Sequence, residues 1–569
     1  MGNSVDCCYS TRQYNQCLFP CIRACSYTNR RVWYNYDGLE SVHPLIDIFK
    51  PQKRRIYKFP DTLVGISDDV EIAESLKSGL DSSAQLAAIC HYASNHDYRI
   101  RAVGTGSSWS RLTSTRDILI DMRDLNQILT PKPERRADNL QKEYVDIEVQ
   151  GGMRVVSFVE ELDKSYGLGL PIIGNYAGQT VAGVASTSTH GSSYFVGTLS
   201  TSVVAFHLVI SSGIQLKLRR GDETFEQCQE KITNVRYGGA PVEVESTEVF
   251  RAVAVGLGSL GIIYSLTYRC VPVYNIEEER ILERIPWPRI GKSAFRVKGK
   301  YKAIFEDNNK EGEFFSLFVN PYPQPQGYLY GVSLKGKKTD QKPTCFACCS
   351  WWCFKGGRGC AEVACLQTNC TASCLQTCAS CCPSSVRDLT NFAISQFVLD
   401  HPFVQKWYNV LQFTKGNIHI RTAEFCLPLA YLDEALGDLI EIFIHYKENF
   451  GQFSLLPIYV AFLPGAFGID EFHKTIEDVL FTKYKARPHW GKNHHLSAAR
   501  VLELYPDLEQ WKKVFKLFNA TGIFCNEFTH NMGFDAWLEN LVSPRMTENL
   551  GNDSYGLNEG GVITIQPLE

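Results

Sequence analysis

The sequence predicts a fold of mixed helix and strand built around a large anionic ligand, and three observations carry that reading. Residues 171–193, PIIGNYAGQTVAGVASTSTHGSS, are dominated by small side chains, so their backbone is able to lie flat against a dinucleotide. A second element, Ala102-Val103-Gly104-Thr105-Gly106-Ser107-Ser108-Trp109-Ser110, is entered from the β-type run Tyr98-Arg99-Ile100-Arg101-Ala102-Val103. Its glycines admit positive φ and close approach, which lets consecutive N–H groups face a diphosphate. The third observation is that a hydrophobic strand pattern and a helix pattern separate the two loops, which makes the pair far more telling than either glycine-rich turn alone.

The first loop does not complete the Rossmann fingerprint. That fingerprint needs a third glycine at the start of a helix and an acidic residue about 20 positions further on. Trp109-Ser110-Arg111-Leu112 follows instead, so a nicotinamide-type fold is disfavoured.

The other elements follow in chain order. Ser83-Ala84-Gln85-Leu86-Ala87-Ala88-Ile89 reads as a helix leading to the first loop, and Ile118-Leu119-Ile120-Asp121-Met122-Arg123-Asp124-Leu125 as a strand ending in Asp. Gly151-Gly152-Met153 and Tyr166-Gly167-Leu168-Gly169-Leu170-Pro171 introduce the second loop. Phe250-Arg251-Ala252 with Gly256-Leu257-Gly258-Ser259-Leu260-Gly261-Ile262-Ile263 reads as a closing turn and strand. Late in the chain come Ala423-Glu424-Phe425-Cys426-Leu427-Pro428, Arg487-Pro488-His489-Trp490-Gly491-Lys492 and Gly522-Ile523-Phe524-Cys525-Asn526. In this order the elements resemble the aldonolactone and alditol oxidases of the vanillyl-alcohol oxidase flavoprotein superfamily, from about Ser82 to Phe534. The Arg-Pro-His-Trp-x-Lys element is the most diagnostic.

The resemblance implies an α+β fold: a two-subdomain PCMH-type FAD-binding domain followed by an α+β cap that places substrate over the isoalloxazine ring. It implies transfer of hydride from a carbinol carbon to flavin N5, with reoxidation by oxygen or another acceptor; the cofactor carries the difficult chemistry and the protein supplies orientation and charge. The expected cofactor-binding residues are Gly104, Thr105, Gly106, Ser107, Ser108, Gly178, Gly183, Ser186, Thr189, His190, Gly191, Gly261 and Ile262. Ala177 corresponds to the small residue that governs oxygen access in the family.

Two departures from the family pattern matter. Many members attach the flavin covalently to a histidine after the second glycine of the first loop; Ser107 stands there, so noncovalent, dissociable FAD is expected. The family also carries a Glu-x-Arg pair on a cap strand, matched here by Pro457-Ile458-Tyr459-Val460-Ala461-Phe462, with Tyr459 in place of Glu and Ala461 in place of Arg. Strand alternation puts both on one sheet face, so that wall loses two partners for a polyhydroxylated lactone. Two readings follow: an FAD-dependent oxidoreductase resembling sugar-1,4-lactone oxidases, or a flavin-binding, catalytically altered homologue serving as a membrane-associated interaction protein.

Lys492 is the expected charge stabiliser for anionic reduced flavin, acting where negative charge develops. Glu424, His489 and Tyr459 complete the candidate catalytic set, with His489 a base or a packing group. His489, His494 and His495 lack an adjacent acidic or cysteine partner in sequence, so no metal is expected there.

At 569 residues and 44% hydrophobic the chain is able to bury two cores. A net charge of −3 exerts no overall pull on nucleic acid. Residues 1–31 lack a continuous apolar h-region, no run of about 18 apolar residues predicts a transmembrane helix, and Gln566-Pro567-Leu568-Glu569 is no known retention or peroxisomal signal.

Cysteine is concentrated in two clusters, eleven of 21 between Cys345 and Cys382 and five more between Cys7 and Cys25. Cys17, Cys21 and Cys25, like Cys370, Cys374 and Cys378, are spaced at four, which aligns each trio on a helix face. A reducing cytosol disfavours disulfides, and several acyl chains anchor a protein far more firmly than one. S-acylation (palmitate) is therefore the preferred reading, and it makes the chain a lipoprotein on the cytoplasmic face of a membrane. Zinc at Cys345-x-x-Cys348 and Cys378-x-x-Cys381, or an inert insertion, are the rivals. Gly2 permits myristoylation, although Asp6 stands where that pattern wants Ser or Thr. Lys335-Gly336-Lys337-Lys338 would favour anionic headgroups beside a membrane.

The resulting organisation is a cysteine-rich arm over 1–60, an FAD-binding domain over 61–275, a cap with a returning flavin-contacting segment over 276–540 that includes the insertion 341–385, and a tail over 541–569.

Overall fold

The computed structural model describes residues 33–34, 41–42, 47–49, 82–133, 143–193, 195–286, 313–322, 324–343, 398–411, 421–450, 459–462 and 469–540, with a few positions between 388 and 395. Both cysteine clusters, and so the acylation and zinc readings built on them, lie outside the described residues.

The first subdomain is small. Strands β1 (Trp33–Tyr34) and β2 (Ser41–Val42) pair antiparallel. Strand β3 (Asp47–Phe49), helix α1 (Ser82–Asn95), β4 (Ile100–Val103) and β5 (Ile118–Asp121) follow, and β3, β5 and β4 form a parallel sheet in that order. Helix α1 is rich in alanine, which costs little to order. Its Leu86, Ile89 and Cys90 are all at most 2% exposed, buried with Ile100, Ile118 and Ile120.

The second subdomain runs through β6 (Val145–Gln150), α2 (Val155–Glu161), β7 (Leu168–Gly169), α3 (Val181–Ser186), β8 (Val203–Val209), β9 (Gln215–Arg219), α4 (Phe225–Thr233), β10 (Val242–Glu245), α5 (Thr247–Ala254) and β11 (Ile262–Pro272). Its sheet has the order β10-β9-β8-β11-β6, with β7 added beside β11. Helix α4 begins with a capping box in which the Thr224 hydroxyl accepts from Gln227 N–H at 3.3 Å and the Gln227 side chain accepts from Thr224 N–H at 2.9 Å. Thr224→Ala should cost about 1 kcal/mol of stability without loss of FAD, a change readable in denaturant unfolding followed by flavin fluorescence.

Two junctions demand glycine. A Cβ on Gly152 would lie 1.7 Å from Met122 O, so the turn after β6 packs against the end of β5 only without a side chain. Gly106 takes φ 70°, which turns the first loop back on itself.

Strand β12 (Asn275–Pro286) opens the cap. It forms an antiparallel sheet in the order β13-β14-β12-β15 with β13 (Phe314–Val319), β14 (Tyr328–Thr339) and β15 (Phe403–Lys406). Helix α6 (Trp407–Leu411) leads towards β16 (Arg421–Cys426), α7 (Leu432–Phe450), β17 (Tyr459–Phe462), α8 (Ile469–Tyr484) and β18 (Arg487–Pro488), with β16 central in a sheet of order β17-β16-β18. On α8, Phe472, Ile476 and Leu480 recur every four residues and are at most 1% exposed, the stripe that seats the helix.

Helices α9 (Ala498–Leu504), α10 (Leu508–Phe518) and α11 (Glu527–Asn531) follow; α10 packs against α5 of the second subdomain, and the segment after it returns to the first. Ile100 N–H donates to Ile523 O at 2.8 Å, and Ile523 and Phe524 complete the core around α1. No helix among the described residues is long and apolar enough to cross a membrane.

Candidate active site

The two glycine loops meet. A Cβ on Gly104 would lie 2.4 Å from Thr180 Oγ1, and Thr105 Oγ1 donates to Gly178 O at 3.0 Å. Thr180 also caps α3, accepting from Gly183 N–H at 3.3 Å. The loops form one wall of a cavity of about 300 Å³, closed on the cap side by Phe318, Thr422, His489, Gly491 and Lys492. This is the lower end of the range of small-molecule sites.

The cap wall is held by backbone pairing. His489 N–H donates to Glu424 O at 2.9 Å, Asn493 N–H to Thr422 O at 3.0 Å, and Trp109 N–H to Gly491 O at 2.9 Å, so the segment carrying Lys492 is stitched both to β16 and to the first glycine loop. Lys492 Nζ stands 4.2 Å from the centroid of the Trp109 ring, a cation–π contact.

The charges behind this wall form a set. Glu424, 3% exposed, pairs with His190 Nε2 through Oε1, while its Oε2 finds no hydrogen-bond partner among the described residues. Burial alone would lift the Glu424 carboxyl, but the His489 and His190 rings and the Lys492 ammonium hold it well below the carboxylate range. Burial disfavours charge on His190, yet its bonds to Cys426 and Glu424 outweigh that and raise its pKa well above the ordinary histidine value. Burial lowers His489 to about 4 although Glu424 opposes the shift. The His489 Nδ1 accepts from Gly491 N–H at 3.0 Å, which leaves the proton of the neutral ring on Nε2. Lys492 is pushed by burial down to about 8, with Glu424 the counterweight.

Of the expected cofactor residues, Gly104, Thr105, Gly106, Ser107, Ser108, Gly183, Ser186, Thr189 and Gly261 line the cavity. The remaining four stand behind it. Ile262 is buried in the α1 core while Ile263, next along the strand, lines the cavity; Gly178 packs against Tyr176, Gly191 against Ile172, and His190 serves Glu424. Ala177 is fully buried in the larger core, directly behind Asn175, Tyr176 and Gln179, which line the cavity. Lys492 and His489 line the cavity, and Glu424 supports them from behind. The register sets Tyr459 opposite Glu424 and Ala461 opposite Thr422.

Sequence reasoning missed Thr422, Gln179 and Arg101. Arg101 is 1% exposed and donates to Leu257 O at 3.2 Å, Ser259 Oγ at 3.1 Å and Asn526 Oδ1 at 2.8 Å, joining three segments beneath the cavity. A charged residue alternating with apolar ones inside a buried strand was the available signal.

The lining fits FAD. The small residues 104–108 on its wall give a backbone that suits a diphosphate. Trp109 Nε1, Gln179 Oε1 and Thr422 Oγ1 are buried at its wall without hydrogen-bond partners among the described residues, as donors and acceptors awaiting a polar ligand would be.

Comparison with known proteins agrees. Residues 79–219 match the FAD binding domain family and residues 458–532 the D-arabinono-1,4-lactone oxidase family. An L-gulono-1,4-lactone dehydrogenase of Mycobacterium tuberculosis is 24% identical over 79% of this chain and 94% of its own length. A D-arabinono-1,4-lactone oxidase of Yarrowia lipolytica is 32% identical over 34% of this chain and 32% of its own. The crystal structure of cholesterol oxidase from B. sterolicum superposes with a TM-score of 0.60 at 14% identity, covering 88% of this chain and 96% of that one, a likeness of fold. With the cavity between the glycine loops and Lys492 on its cap wall, the chain is an FAD-dependent oxidoreductase that acts on CH–OH groups and resembles the aldonolactone oxidases.

Proposed function

We propose that this chain oxidises a carbinol carbon of a sugar-1,4-lactone or a related polyol. The observation that carries the reading is the cavity itself, which brings the diphosphate-type loops and Lys492 to one space. FAD, when bound, supplies the two-electron oxidant. The backbone of residues 104–108 would hold the diphosphate, Lys492 would set positive charge where negative charge grows, and the neutral His489 would offer an N–H to a substrate oxygen. Glu424 holds this set from behind. Because the cap strand departs from the Glu-x-Arg pattern at Tyr459 and Ala461, Thr422 and His489 carry more of the substrate recognition.

The test is the visible spectrum of the purified full chain before and after acid precipitation, with anaerobic titration by L-gulono-1,4-lactone, D-arabinono-1,4-lactone and alditols. Flavin in the supernatant, bleached in the native protein by a lactone, is expected. Bleaching by dithionite alone would overturn the substrate, and absence of flavin would overturn the cofactor. Repeating turnover with and without oxygen identifies the acceptor.

Membrane association through acylated cysteines at 7–25 and 345–382 is a proposal that rests on their spacing and clustering. Hydroxylamine-sensitive fatty-acyl labelling, lost on Cys→Ser substitution of both clusters, is the expected result.

A further inference from the structure

A second cluster of metal-ligating side chains lies outside the cavity. His473 and Glu477 stand one turn apart on α8, with side chains 6% and 3% exposed. His495, three residues beyond Lys492, meets them from the neighbouring segment with 36% of its side chain exposed. Its N–H donates to Glu477 Oε1 at 2.9 Å and Oε2 at 3.1 Å, and its Nδ1 stands 2.8 Å from Oε2. His473 Nε2 lies 3.4 Å from Glu477 Oε1, and one donor atom from each of the three residues lies within 4.8 Å of the others.

Two features of this cluster point to a cation. A carboxylate so deeply buried ordinarily requires a fixed positive partner, yet among the described residues the ion-pair partners of Glu477 are two imidazoles and neither Lys nor Arg. One of the two spacings is also that of coordination, while the 2.8 Å between His495 Nδ1 and Glu477 Oε2 is a hydrogen bond that a metal would open by about half an ångström. Zinc bonds of about 2.0–2.2 Å to imidazole and carboxylate place tetrahedral ligand atoms roughly 3.3–3.6 Å apart, which the 3.4 Å between His473 and Glu477 already meets. Two imidazoles and one carboxylate are a donor set that suits zinc, and the exposed edge of His495 leaves a path for entry.

We propose that His473, Glu477 and His495 form a zinc site that pins helix α8 to the segment carrying Lys492. The metal neutralises the buried carboxylate and fixes the chain three residues from the charge on the cavity wall. It stands apart from the substrate reading.

The experiment uses the full chain, stripped with a chelator and titrated with Zn²⁺ and separately with Co²⁺, beside His495→Gln and Glu477→Gln. One Zn²⁺ per chain that raises the thermal midpoint is expected, with affinity about tenfold or more weaker in both variants. Bound Co²⁺ should show ligand-field absorption without the intense thiolate charge transfer of a cysteine site, so the cysteine clusters are read separately. His495 is surface-exposed, which makes its variant the one that folds regardless. No uptake by the wild type, or uptake equal in wild type and both variants, would overturn the site.

Discussion

Lys492→Met is expected to lower turnover by about 10²- to 10³-fold while FAD stays bound, the loss seen when one preorganised charge-stabilising donor is removed from an active site. The side chain lines the cavity and contacts Trp109, whereas the loops at residues 104–108 that grip the cofactor are untouched. Flavin content by absorbance and steady-state rates with the best lactone check both halves. The same residue sets a pH limb. Burial brings its pKa to about 8, so the ammonium is present below that value and lost above it, and kcat should fall as pH rises through about 8. Arginine keeps its proton across this range. Lys492→Arg should therefore retain part of the activity and lack that limb; a limb that persists unchanged would mean that another group titrates.

Glu424→Gln is the second large effect. The glutamate is buried, pairs with His190 and is the counter-charge that keeps the Lys492 pKa from falling further. Loss of one partner from a buried charged network costs roughly 3 kcal/mol, to be read as a lower unfolding midpoint near neutral pH. The alkaline limb of kcat should move below about 8, because Lys492 loses the charge that raises it. The signs of the stability profile follow from the same pair. Glu424, depressed from 4.5, contributes stability that is present above that value and lost as pH falls through its lower native one. His190, raised from 6.5, contributes stability that is full below 6.5 and lost as pH rises through its native value. Both act together between about 4.5 and 6.5, so the gap between wild type and Glu424→Gln should be widest there and narrow on either side. A gap independent of pH would mean that packing and not charge holds the pair.

How much of this was legible in the chain differs by residue. The glycine loops could be read because each is a local demand on the backbone, a turn at Gly106 and a close approach at Gly104, whereas the strand running into Asp121 and the Arg-Pro-His-Trp-Gly-Lys element that carries Lys492 were legible through resemblance to a known family. The parity of β11 could not. Ile262 was expected at the cofactor, yet alternation turns it into the α1 core and brings Ile263 to the cavity. His495 showed no acidic neighbour in sequence; its partner, Glu477, comes from α8.

The sequence by itself determined the class of ligand, because the glycine loops depend on short-range backbone geometry, and its resemblance to a known family gave the order of the elements and singled out Lys492. Only the tertiary structure decided that Thr180 closes on Gly104, that Glu424 lies under His190, and that Arg101 ties Leu257 to Asn526. Those pairings depend on strand register and on satisfying buried polar groups across long sequence separations, and packing alone supplies that information.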